Sequence, residues 1–152
     1  MISIQELQDF TIAHVAERAN LENYFMVASD DELARLYKDT VNPGDQCTLV
    51  VIIPSHDSDF LDEDNLKMKN NLSFMVIKKT DTKAGNNEKI RMFGIAQVEI
   101  KALLLKILSL YQQLGDSCIF RDMELDSFQI DPVQDYIGAN GYGLDFVNKT
   151  EL

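Results

Sequence analysis

The chain has 152 residues, 45% of them apolar and 26% charged, and a formal net charge of -11. Those figures exclude a disordered chain and describe one folded domain able to bury a core of its own. So much negative charge repels phosphates and argues against tight nucleic-acid binding.

The opening "MISIQELQDF" has neither the basic nor the apolar segment of a secretion signal. From there to Phe25 the apolar positions Ile4, Leu7, Phe10, Val15 and Leu21, with His14 beside them, follow helical spacing and predict one helix. "SDDELARLYKD" then opens with Ser29 and carries Glu32 three residues on, a capping box that predicts a short helix with Leu33, Leu36 and Tyr37 as its apolar stripe. It stops before the turn "NPG" at Asn42–Gly44.

"QCTLVVIIP" predicts a strand that is apolar on both faces and therefore central in a sheet, bounded by Pro54. "LSFMVIKK", Leu72–Lys79, predicts a second. Between them "SHDSDFLDEDNLKMKNN" reads as a polar excursion, and "TDTKAGNNEK" after Lys79 as a turn-rich loop. A long helix follows, starting near Gly94 and ending at Gly115, with Val98, Ala102, Leu105, Leu108 and Leu114 on one face, thickened by Leu104, Ile107 and Tyr111. Arg91–Ile95 also reads as the end of a preceding strand. Its breadth of apolar surface suggests packing across a sheet. The last third loses the helical period: "LDSFQI" and "YGLDFV" alternate as strands, the second placing Tyr142, Leu144 and Phe146 on one face. No run approaches the roughly 20 apolar residues of a membrane span, since "LVVII" and "ALLL" are the longest.

Gly138, Gly141 and Gly143 raise the question of a phosphate loop, but they spell GxxGxG with no Lys-Ser or Lys-Thr after them and a strand, not a helix, downstream. The reading is a turn, placed at Asn140-Gly141, where both residues tolerate positive φ. "SHD", Ser55–Asp57, has the letters of a hydrolase triad, yet consecutive residues cannot converge on one another as nucleophile, base and orienter. His14 falls on or beside an apolar helix face and reads as a core or boundary histidine. "DSDFLDEDN", Asp57–Asn65, crowds carboxylates but lacks the alternating ligands and the glycine of a calcium loop, so it reads as a solvated acidic loop. Cys47 and Cys118 stand alone and read as free, buried thiols. No catalytic, cofactor or metal site is assigned.

Charge is unevenly spread. Residues 65–114 hold nine bases against three acids, and residues 30–64 ten acids against two bases. The plain interpretation is internal balance and a solvated surface. The sharper one is a self-complementary interface, with Lys78, Lys79, Lys83, Lys89 and Arg91 of one copy facing Asp57, Asp59, Asp62, Glu63 and Asp64 of the next.

The elements run helix, short helix, strand, polar excursion, strand, loop, long helix, then an extended tail pairing "FQIDPV" with "NGYGLDFV". This order resembles that of small structural proteins of tailed phages and prophages, of the tail-terminator or neck type, over most of the chain as topology. The resemblance implies an α+β domain with an antiparallel sheet of about four strands and two or three helices on one side. It also implies assembly into a ring with copies of itself, contact with other structural proteins, no catalytic residues and no cofactor. The expected location is the cytoplasm or the virion. A second reading is an acidic immunity- or inhibitor-type protein whose acids in Asp57–Asp64 and Asp122–Asp135 cover a basic partner surface. An enzyme built from scattered residues is the third.

Overall fold

The computed structural model describes residues 1–60, 66–113 and 119–151. It is an α+β fold, as the order of elements implies, with three α-helices and a six-stranded, mostly antiparallel sheet. The elements are α1 (Ile4–Glu17), β1 (Leu21–Val27), α2 (Asp30–Thr40), β2 (Cys47–Phe60), β3 (Leu66–Lys79), α3 (Asn86–Gln112), β4 (Asp122–Met123), β5 (Gln129–Tyr136) and β6 (Ala139–Glu151). The sheet order is β1-β2-β3-β6, with β4 and β5 pairing different stretches of β6. Only β1 runs parallel to its neighbour, and α2 provides the crossover that this requires.

The expectation of about four strands is too low, because two strands were hidden. β1 lies where a continuous helix is expected. α1 stops at Glu17, since the cap Arg18 turns to an extended φ of -115° and its side chain is held by Glu99. Tyr24, Phe25 and Val27, poor helix formers but good strand residues, then pair with β2. β4 is two residues long and owes its existence to β6. The polar excursion is also strand for most of its described length. β2 runs on to Phe60 and β3 starts at Leu66, paired from Ser55↔Asn71 to Phe60↔Leu66. Pro54 does not end β2. It sits buried at the irregularity between Ile52 and Ser55, the kind of place where a strand tolerates a residue without an N–H.

The helices do not share one side of the sheet. Alternation along the strands separates two cores. Leu49, Val51, Phe74, Val76 and Leu144 face α1 and α3, whose Leu7, Ile100, Leu103 and Ile107 meet them. Val50 and Ile77 face the other way and pack with Leu33 and Tyr37 of α2. β2 is buried on both faces between β1 and β3, the central place its sequence predicts. Each fully buried Leu, Ile or Phe here contributes about 2 kcal/mol relative to exposure.

α2 forms as its capping box predicts: Glu32 N–H donates to Ser29 Oγ at 3.3 Å, while the Glu32 carboxylate reaches back to Ala28 N–H at 3.2 Å, one residue before the cap. α3 starts eight residues before Gly94, at Asn86, so Arg91–Ile95 is helical. Its expected stop, Gly115, falls outside the described residues.

The glycine stretch is a turn between strands, three residues earlier than the Asn140-Gly141 pair suggests. Ile137 (φ 48°) and Gly138 (φ 76°) make the two-residue connection between β5 and β6. Asn140 and Gly141 are strand residues. Gly141 is required by proximity, since a Cβ there would lie 1.9 Å from the Val76 carbonyl oxygen.

Candidate functional site

α3 carries the surface of most interest. Its buried side is Met92, Ala96, Glu99, Ile100, Leu103 and Ile107. This is not the face that apolar spacing alone marks: of those residues Ala102 and Leu108 are half-buried, while Val98 and Leu105 point to water. Ile90, Val98 and Leu105 are 59%, 56% and 55% exposed. Together with Gly94 and Lys101 they fall within an arc of about 80° at 3.6 residues per turn. A Cβ on Gly94 would touch nothing within 4 Å, so the stripe is open along its length. Lys101 has no ion-pair partner among the described residues.

The inner side of the same helix holds a buried carboxylate. Glu99 is fully buried and accepts two hydrogen bonds from Arg18, at 2.8 and 3.1 Å, and one from Asn20 at 2.9 Å. Burial works to raise its pKa, but the Arg18 and Asn20 hydrogen bonds outweigh it and hold the carboxyl below the usual carboxylate range. His14, nearby on α1, is buried with no hydrogen-bond partner at either ring nitrogen among the described residues, and stacks on Phe10. Burial first, and the Arg18 charge second, push its pKa down, so the neutral imidazole is favoured. The histidine is thus a core residue, as its helical position predicts. The cluster ties α1, the start of β1 and α3 together, and sequence gave no signal for it because its members lie some 80 residues apart.

The bases predicted to form an interface are mostly engaged within the chain. Lys78 is buried, with Nζ donating to the Asp45 carbonyl at 2.6 Å. Lys79 donates to the Val41 carbonyl and lies over the Tyr37 ring, 5.6 Å from its centroid. Lys89 pairs with Asp135 at 3.3 Å, and Arg91 with Glu88 at 2.7 Å. Lys83 alone of the five is exposed with no partner for its ammonium among the described residues. On the acidic side, Asp57 accepts from the Asn71 amide at 2.8 Å. Asp59 and Glu124 bracket Lys149 at 2.8 and 2.9 Å, with Lys69 at 3.9 and 3.8 Å. The Lys149 hydrogen bond holds Asp59 below its ordinary pKa. Asp62, Glu63 and Asp64 lie outside the described residues. The structure therefore brings the acids of β2 to lysines of β3 and β6, and leaves the Lys78–Arg91 group at the other end of the sheet.

Strand alternation divides the "SHD" letters. Ser55 and Asp57 share the Asn71 amide on one face, whereas His56 Nδ1 donates to Asn70 Oδ1 at 2.9 Å on the other. Cys47 is buried and free, its thiol pushed up to about 11 by burial; Cys118 lies outside the described residues. Among the described residues no cluster of three or more His, Cys, Asp or Glu could hold a metal. None of the described helices is long and apolar enough to cross a membrane. No protein-family model matches the chain, and no curated protein matches it.

Proposed function

We propose that the chain is a non-enzymatic structural protein whose copies assemble through the outer face of α3, as a ring subunit of the tail-terminator kind that its order of elements resembles. The stripe of Ile90, Val98 and Leu105 carries this reading. A helix with apolar residues on both its sides is normally covered on both, and here Ile90, Val98 and Leu105 are left more than half exposed. Covering the exposed half of each side chain is worth about 1 kcal/mol apiece, so the stripe anchors a contact that neighbouring surface must complete. Because four of the five bases expected at the interface are engaged within the chain, apolar area supplies the attraction and the rim charges set orientation. A contact between unlike surfaces of identical copies closes into a ring when the rotation allows, and an acidic inner wall would let DNA pass without holding it.

Light scattering behind size exclusion, at low and at high salt, tests this. The expected mass is a multiple of 17.3 kDa that survives high salt, and that falls in the double variant Val98→Glu, Leu105→Glu as the α3 contact is lost. A monomer at every salt and concentration overturns the reading and favours an acidic module that covers a basic partner.

A further inference from the structure

The sheet ends in two edges that are built differently. On one side the outer strand is β5, which carries Asp131, Pro132 and Asp135 and loses register before Tyr136. Missing N–H groups, charges and irregular pairing are the usual protection of an edge against another chain. On the other side is β1, "LENYFMV", with no proline and no lysine. Its one charge, Glu22, is exposed and accepts the Gln46 N–H, just before β2, at 3.0 Å. Among the described residues the β1 backbone pairs with β2, and only Leu21 N–H bonds elsewhere, to the Arg18 carbonyl at 3.2 Å; the alternate N–H and C=O groups from Glu22 onward that point away from β2 have no backbone partner among the described residues. Its side chains are apolar toward both faces: Tyr24 and Met26 join the core under α1, Phe25 and Val27 the core under α2, and Tyr24, Phe25 and Met26 are only half-buried.

We infer that β1 is an open pairing edge and that its partner is β1 of a second copy, antiparallel about a two-fold axis. A strand added here must present a free row of backbone groups and bring apolar side chains to both faces. β1 itself meets both conditions; β5, exposed, acidic and interrupted by Pro132, meets neither. Centred on Tyr24, the pairing sets Glu22 opposite Met26 and Asn23 opposite Phe25. The two Glu22 carboxylates then sit at opposite ends, about 13 Å apart at ~3.4 Å per residue, so no like charges meet. Such a contact is self-complementary and closes at two copies. It uses none of the α3 stripe and stands independently of the ring contact.

Hydrogen exchange of the 21–27 backbone, followed by mass spectrometry on dilute and concentrated protein, reads the edge directly. The expected result is exchange about tenfold slower in the concentrated sample in β1 and unchanged in β5. Tyr24→Lys, which opposes two ammonium groups across the axis, should abolish that difference and halve the mass seen by light scattering, while Asp131→Lys on β5 should change neither. Concentration-independent exchange in β1 overturns the inference, and so does a folded Tyr24→Lys variant that keeps the wild-type mass. The wild-type exchange result decides the question even if the variant fails to fold.

Discussion

α2 and α3 solve the same problem differently. α2 is a finished amphipathic helix: Leu33 and Tyr37 are buried, and the rest of its eleven residues are mostly charged or polar and wet. α3 buries one side completely and still shows Ile90, Val98 and Leu105 on the other. The lesson is that a helix's apolar pattern can exceed what its own chain covers. In α2 the pattern is used up by one chain; in α3 it is not.

The sharpest way to break that comparison is to cut the two sides of α3 separately. Leu103→Ala, on the inner side, should cost about 3 kcal/mol in chemical denaturation, through lost burial and a cavity. Leu105→Ala, two residues on, should cost less than about 0.5 kcal/mol in dilute protein and more as concentration rises; a flat concentration dependence would mean that nothing covers the stripe. Glu99→Gln should cost about 2 kcal/mol. That is less than the loss expected for breaking a wholly buried pair, because Arg18 is a third exposed and can turn to water. It should leave the assembled mass unchanged, whereas an outer-face variant should do the reverse. Ser29→Ala, which removes the α2 cap, should cost about 1 kcal/mol and likewise leave mass alone.

The most gradual effect is on pH. His14 has a folded pKa below its ordinary 6.5, so the unfolded chain binds the proton more readily. The stability this represents is present above pH 6.5 and is lost as pH falls from there toward the folded value. Glu99, also depressed, adds a second loss beginning below its ordinary 4.5 and continuing through its folded value. Denaturation midpoints at pH 7.5 and 5.5 should differ in the wild type and differ less in His14→Leu; equal slopes would show that His14 is not the group responsible.

Much of this was legible locally. Ser29 and Glu32 announce α2, "CTLVVII" announces a central strand, and alternation announces Leu144 and Phe146 on one face. What was not legible depended on distant partners. Leu21 keeps helical phase with His14, seven residues back, yet it starts a strand because Arg18 and Asn20 are bound to Glu99. Ser55–Phe60 looks like a polar loop because its strand form rests on backbone pairing with β3, which polar side chains do not betray. The Asn-Gly pair suggested a turn, but Gly141 answers to the Val76 carbonyl, and the turn falls to Ile137, a β-branched residue that rarely takes positive φ. The charge segregation of the chain is real, but Lys78, Lys79 and Lys89 find partners that only folding supplies, while Arg91 pairs locally with Glu88.

By itself, then, the sequence determined the class of fold, the cap of α2, the central strand and the excess of negative charge, because each of these depends on residues within a few positions of one another. Tertiary structure alone decided which face of α3 is buried, that α2 crosses to the opposite side of the sheet, and that β1 is left as an undefended edge. Those outcomes depend on which apolar surfaces meet first and on which backbone groups remain unpaired afterwards. A helix with apolar residues on more than one side and a strand that is apolar on both faces do not specify in advance which of their sides the single chain will use.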